Sequence, residues 1–200
     1  MPCGALLELG WINLLKTVKR SEDVDESDHA ELDLRLLPVL EAKRLGEILR
    51  EELEKRGWKK EEDGTLTKQI EQGTASLEVG SSTLKLVVGG KKSISAEASA
   101  TGVVKETDAD GQKAIEEKAG EKADLKLSLE RRAAKDELMR ENLEKLEKAL
   151  GPLKREADEV TASTTKRALL ERAQQLGAIE SVTEKRSGSN VEVIIQVVKS

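Results

Sequence analysis

The sequence predicts an α+β protein, with a small antiparallel β-meander packed with amphipathic helices, a charged helical segment and a C-terminal β-hairpin. Apolar residues recur at helical spacing in several segments, whereas between Trp58 and Val104 they alternate with period two. Glycines interrupt the alternating region every seven to nine residues, as turns between short strands do. We expect three consecutive segments, spanning residues 1–31, 32–104 and 105–200.

The first segment is expected to hold a short helix followed by an acidic linker. Five apolar residues fall at helical spacing: Leu7, Trp11, Leu14, Leu15 and Val18. They predict a helix over 5–19 that packs on the body of the protein. A helix lying on a membrane surface is the alternative, but positive charge is confined to one end of the segment. Residues 20–31 are acidic and have little to bury, which favours a solvated linker.

The second segment is expected to form a helix and then the meander. A short strand begins at Leu32, and a helix runs from about Pro38 to Arg56, because proline suits a first turn. Gly57 follows that helix as a C-terminal glycine does. The strands of the meander are predicted from four alternating runs: Leu66/Ile70, Ala75/Leu77/Val79, Leu84/Leu86/Val88 and Ile94/Ala96/Ala98. Hairpin turns are expected at Asp63-Gly64 and at Gly89-Gly90.

The third segment is expected to be helical up to a closing hairpin. Five residues near its middle have coiled-coil spacing: Met139, Leu143, Leu146, Leu150 and Leu153. Gly151-Pro152 predicts a kink or a helical hairpin, with a second helix from about Leu153 to Leu176. Ile179–Glu184 and Val191–Val198 then pair around a turn at residues 187–190.

Composition argues against several classes of function. Lys and Arg number 34 against 39 Asp and Glu, giving a net charge of -5 with the two signs mixed along the chain. The only aromatic residues are two tryptophans, so neither a basic stripe nor a stacking surface for nucleic acid is expected. The single cysteine, Cys3, cannot form an intramolecular disulfide. No apolar run approaches the ~20 residues of a membrane span, and a cytoplasmic location is expected.

Motifs for catalysis or for metal binding are not found. His29 is the only histidine, so a His-based catalytic pair or zinc site is not expected. The run from Asp23 to Leu34 begins like a calcium loop but lacks the glycine at its sixth position and the glutamate at its twelfth. The run from Gly89 to Ser93 lacks the spacing of a phosphate-binding loop. We therefore expect no enzyme, no cofactor and no metal, although an active site made of carboxylates alone stays open.

Five residues are candidates for contact with a protein partner: Trp58, Met139, Leu143, Leu146 and Leu150. Trp58 fits either a core tryptophan over a small sheet or an exposed anchor. The other four belong to the coiled-coil pattern, which could join two copies of the chain or bind a different protein.

Two stretches carry a helix, a glycine and then strands. The first runs from Leu34-Arg-Leu-Leu-Pro-Val-Leu through Gly57-Trp58 to strands ending near Val88, and the second runs from Ala168 to Val198. Both resemble small accessory proteins of bacterial FtsH ternary systems, which are encoded beside FtsH-type AAA+ metalloproteases. The resemblance implies association with an AAA+ ATPase or its substrates, and it carries no catalytic residues. We thus expect a non-enzymatic accessory or adaptor protein. The alternative is a structural protein that dimerises through the 139–153 helical seam.

Overall fold

The structure, a computed structural model, describes residues 11–187 and 190–198. Its elements, in chain order, are β1 (Trp11–Asp33), α1 (Ala42–Glu54), β2 (Lys59–Lys60), β3 (Leu66–Ile70), β4 (Gly73–Glu78), β5 (Thr83–Lys105), α2 (Ala109–Leu176), β6 (Ala178–Ser187) and β7 (Asn190–Val198). The first five strands form an antiparallel sheet in the order β1-β5-β4-β3-β2, and β6 pairs with β7 alone. The predicted α+β class is confirmed.

The chain divides into two compact units, and each is assembled from separated parts of the sequence. Within the described residues, unit 1 comprises 11–26 and 89–141, and unit 2 comprises 27–88, 142–187 and 190–198. Each unit thus combines an N-terminal stretch with a distant C-terminal one, whereas the sequence analysis expected three consecutive segments.

Unit 1 is held together by two small apolar clusters between strands and α2. The first contains Val24, Ile94, Ala134 and Leu138, and the second contains Ala100, Val104, Ile115 and Ala119. Charged side chains surround them in pairs such as Arg20–Asp124, with Nε and Oδ1 3.1 Å apart. Because these pairs are exposed, they contribute little stability, and burial of the clusters dominates.

The predicted N-terminal helix and acidic linker are wrong where the structure describes them, because residues 11–33 form strand β1. Ile12, Leu14 and Val18 alternate along one face and pack on the cluster around Ile115. The spacing of Leu14 and Val18 suits period two as well as a helix, and the contact with the distant α2 selects the strand, with Trp11 and Leu15 exposed on its other face. The acidic stretch is covered on one face only, where Val24 is buried and its neighbours at even positions are half-buried. Residues 5–10 of the predicted helix lie outside the described residues.

Unit 2 contains the larger core, which lies between α1, the meander and the C-terminal part of α2. The helix buries Leu45, Ile48, Leu49 and Leu53 on one face, as predicted, although it begins at Ala42 and not at Pro38. Gly57 follows with φ +85°, a conformation that glycine adopts readily. Leu45 and Ile48 pack with Ala168 of α2, whereas Leu49 and Leu53 join a larger cluster. That cluster also takes in strand residues and residues of α2: Leu66, Ala75, Leu77, Leu84, Leu86, Val88, Leu146, Ala149, Leu153, Ala157 and Val160.

The predicted meander is present, but one of its turns is not. The Asp63-Gly64 hairpin joins β2 to β3, and the Thr65 N–H donates to the Asp63 carboxylate at 2.9 Å. The Gly89-Gly90 turn is wrong, because β5 continues through both glycines to Lys105. The buried residues on either side of the pair fall in phase with period two, so a single strand buries them all on one face.

The predicted helical hairpin at Gly151-Pro152 is also wrong, because α2 is one helix with Pro152 inside it. Leu146 and Leu153 lie on either side of the proline and are buried in the same core. Their burial offsets the cost of a proline in a helix interior, which is about 3 kcal/mol. The helix ends at Leu176, before Gly177, as predicted.

The C-terminal hairpin is confirmed, with β6 antiparallel to β7 from Ala178↔Val198 to Ser187↔Asn190. Two residues of its predicted turn, Gly188 and Ser189, lie outside the described residues. Gly177 allows close approach at the start of the hairpin, since an added Cβ would lie 2.4 Å from the Val198 carbonyl oxygen.

Candidate functional site

Trp58, one of the candidate contact residues, is a core residue. Its side chain is 3% exposed, and its indole Nε1–H donates to Glu156 Oε1 at 2.9 Å. The same carboxylate accepts from Lys68 Nζ at 2.7 Å. Of the two interpretations of Trp58, the structure favours the core tryptophan, because an exposed anchor would need an accessible side chain.

The coiled-coil pattern of α2 is divided between core and surface. Leu146 is buried and Leu150 is half-buried in the unit 2 core, beside the buried Leu153. Met139 and Leu143 are each more than half exposed. A seam made of all five residues is therefore not available to a second copy of the chain, whereas Met139 and Leu143 remain available for contact.

Two further exposed leucines on α2 were missed in the sequence. Leu125 and Leu129 are each more than half exposed, and both belong to unit 1, as Met139 does. Their spacings place the three side chains within a stripe of about 100° on one helix face. We call Leu125, Leu129 and Met139 the α2 stripe. The sequence does show Leu125 and Leu129 as apolar residues within a charged helix. They precede the heptad pattern of residues 139–153, so that pattern did not include them.

The C-terminal hairpin also exposes apolar side chains. Val182 on β6 and Ile194 and Val198 on β7 are each more than two-fifths exposed. A two-stranded ribbon has little stability by itself, because it cannot bury both faces. Lys166 pairs with Glu184 of the ribbon, which ties it to α2.

A groove of about 960 Å³ lies in unit 2, beside α1. One wall is helix α1, which contributes Lys43, Glu47 and Arg50 at positions i, i+4 and i+7 of the face that does not enter the core. The remaining lining comes from the end of β1, the Asp63–Thr65 turn, β4, β5 and the turn that joins them: Glu31, Asp63, Gly64, Thr65, Ser76, Glu78, Val79, Gly80, Thr83 and Lys85. Small residues leave the space open and charged residues surround it.

The carboxylates of this groove have partners within the protein. Glu31 pairs with Lys85 at 3.5 Å, and Glu47 pairs with Arg44 at 2.9 Å. Asp63 accepts the Thr65 N–H described above, and Glu78 accepts from the Ser81 hydroxyl at 3.1 Å. These negative charges are therefore partly satisfied by the fold itself.

Lys43 and Arg50, the two remaining cations of the groove, have no ion pair with any of the described residues. Among residues 11–187 and 190–198, no carboxylate oxygen lies within 4.0 Å of the charged nitrogens of Lys43 or Arg50. The Nε of Arg50 is buried, and no acceptor in the described part of the chain reaches it. Buried N–H groups are nearly always hydrogen-bonded, so this donor is exceptional.

A set of ion pairs holds α1 against α2 behind the groove. The Arg44 guanidinium contacts both oxygens of Glu171, at 2.8 and 3.1 Å from Nε, and its hydrogen bond lowers the pKa of that carboxyl. Arg167 similarly donates to Glu51 at 2.7 Å and lowers the pKa of Glu51. This arrangement fixes the helix that carries Lys43 and Arg50.

The charged side chains of the described residues are not grouped as metal ligands. Among them, no group of three or more His, Cys, Asp or Glu side chains is arranged to hold a metal ion. No helix in that part of the chain is both long enough and apolar enough to cross a membrane.

Comparison with known families matches the chain to the model of FtsH ternary system domain X5, over residues 12–198. The chain belongs to this family. The match confirms the resemblance seen in two stretches and extends it across β1 and the whole of α2. The X5 family therefore includes both compact units, and it ties the protein to an FtsH ternary system. No curated protein and no solved structure matches the chain significantly.

Proposed function

We propose that this X5 protein is a non-enzymatic accessory protein that binds a protein partner, the FtsH-type AAA+ protease of its own system. A cytoplasmic location, expected from the sequence, belongs to the same proposal. Family membership supports the association with the system, and the α2 stripe supports a direct protein contact.

The α2 stripe is the observation that carries the proposal. Large apolar side chains grouped on one exposed face are typical of surfaces that bind another protein. The surrounding positions of α2 are charged, which gives the stripe the polar rim common at such interfaces. Leu129 lies one helical turn from Leu125, so these two side chains are neighbours, and a few large apolar side chains tend to dominate binding energy.

The test is the affinity of the purified protein for the purified FtsH-type protease, measured by biolayer interferometry. Leu129→Glu places a charge in the stripe, and Ser128→Glu places the same charge at an exposed position beside it. We expect Leu129→Glu to weaken binding about tenfold or more and Ser128→Glu to change it less than about twofold. Circular dichroism of both variants checks that the fold is retained. Equal affinity of the two variants would contradict the role of the stripe.

A further inference from the structure

The groove beside α1 has the size of a ligand site but not the surface of an ordinary small-molecule pocket. Its volume of about 960 Å³ is at the upper end of the range for ligand pockets, roughly 300–1,000 Å³. Such pockets are mostly apolar, whereas this groove presents four carboxylates and three cations. A charged, flexible ligand such as an extended polypeptide segment suits this lining better than an apolar molecule.

We propose that the groove binds an extended acidic polypeptide segment, with one carboxylate on Arg50 and a second on Lys43. The inference goes beyond the proposed function, because the groove is a different surface from the α2 stripe. It rests on the contrast between the partnered carboxylates and the two cations for which the described residues provide no ion pair.

Arg50 supplies the more specific half of the site. Its buried Nε–H needs an acceptor that the described part of the protein does not provide. The planar guanidinium binds a carboxylate through two parallel hydrogen bonds, which Nε and a terminal nitrogen can make together. A bound carboxylate therefore satisfies the buried donor and neutralises the charge in one contact.

Lys43 sets the spacing of the second contact. It precedes Arg50 by seven residues on α1, which corresponds to roughly 10 Å along the helix axis. A polyproline II segment advances about 3.1 Å per residue and returns to the same side every third residue. Two acidic side chains three residues apart in such a segment would therefore face both cations.

The carboxylates of the groove disfavour a phosphate as the ligand. Glu31, Glu47, Asp63 and Glu78 all line the same space. A phosphate dianion concentrates about two negative charges at one point near these groups, whereas the two carboxylates of the segment divide the same charge between Arg50 and Lys43. The same acids can instead attract basic residues that flank the acidic pair in a peptide of mixed charge.

The site can be tested by NMR titration of the full-length protein with an acetylated and amidated peptide of sequence Gly-Glu-Lys-Gly-Glu-Gly. We expect saturable binding, with a large shift of the Arg50 Nε–Hε resonance because a carboxylate becomes its acceptor. The same peptide with both glutamates replaced by glutamine is expected to bind at least about tenfold more weakly, since both ion pairs are lost.

Three variants complete the test. Arg50→Gln and the exposed Lys43→Gln should each weaken binding of the acidic peptide, whereas Arg132→Gln removes the same charge from an exposed position of unit 1 and should have no effect. Lys43→Gln keeps the test decisive if Arg50→Gln fails to fold. The proposal is overturned by an unperturbed Arg50 resonance, by equal binding of the glutamine peptide, or by inorganic phosphate binding as tightly at the same residues.

Discussion

Replacing Pro152 by alanine tests whether α2 is a single helix. Pro152 is exposed and lies in the helix interior, where it donates no hydrogen bond and crowds the carbonyl four residues earlier. Alanine restores the N–H and removes the crowding, a difference of about 3 kcal/mol in an ideal helix. Because the native helix has already adjusted to the proline, we expect part of this, about 1–3 kcal/mol of added stability.

The neighbouring glycine provides a matched control. Gly151 is also exposed, and a Cβ added there meets no atom within 4 Å. Gly151→Ala should therefore stabilise the protein only by the helix preference of alanine over glycine, about 1 kcal/mol. Both variants are compared with the wild type by urea denaturation followed at 222 nm, and unchanged slopes would show that the unfolding reaction is the same.

The opposite result would refute the continuous helix. If Gly151-Pro152 formed the turn of a helical hairpin, the proline would favour the turn conformation by restricting the unfolded chain. Pro152→Ala would then leave stability unchanged within about 0.5 kcal/mol or reduce it.

Three other substitutions test separate parts of the fold. Gly73→Ala should destabilise unit 2 by about 1–3 kcal/mol or more, because the added Cβ would lie 2.2 Å from a backbone carbonyl oxygen of β5. Gly80→Ala is its control: the added Cβ meets nothing within 4 Å, so stability in the same urea experiment should not change. Thr164→Val should raise stability by about 1 kcal/mol, since the Thr164 hydroxyl is buried with no partner among the described residues; a loss of stability would show that the hydroxyl is hydrogen-bonded. Arg44→Gln should destabilise the protein near neutral pH but less in acid. Arg44 holds the pKa of Glu171 in the folded protein below its ordinary value of 4.5. The stability that this ion pair contributes is therefore lost as pH falls through the folded-state pKa. An Arg44→Gln effect that does not change between about pH 6 and pH 3 would contradict this assignment.

Local patterns predicted the elements whose buried face is set by residues close together in sequence. Leu45, Ile48, Leu49 and Leu53 define the buried face of α1 by spacing alone, and the alternating runs identify β3, β4 and the start of β5. These patterns are reliable here because each of these elements buries one continuous face, whose period follows from the local backbone geometry.

Distant contacts decided the parts that local patterns did not predict. Leu14 and Val18 fit both periods, and packing of the 12/14/18 face on α2 selects the strand, which leaves Trp11 and Leu15 exposed on the other face. Gly89-Gly90 and Gly151-Pro152 are strong local breakers, but the buried residues on both sides of each pair remain in phase, and burial outweighs the local preference.

The candidate sites were only partly accessible from the sequence. Met139 was selected for its heptad spacing and is exposed, whereas Trp58 could be assigned to core or surface only after its neighbours were known. Lys43 and Arg50 look like an ordinary charged helix face in the sequence. That the described residues offer Arg50 Nε no acceptor depends on side chains from other elements, so no local signal could have revealed it.

The most direct test of the account is size-exclusion chromatography with light scattering of the purified protein mixed with the FtsH-type protease of its system. We predict a complex whose mass exceeds that of the protease alone, formed by the wild type and Ser128→Glu but reduced with Leu129→Glu. Separate elution of the two wild-type proteins, with a mass of the X5 protein that rises with its own concentration, would contradict the accessory role and favour self-assembly.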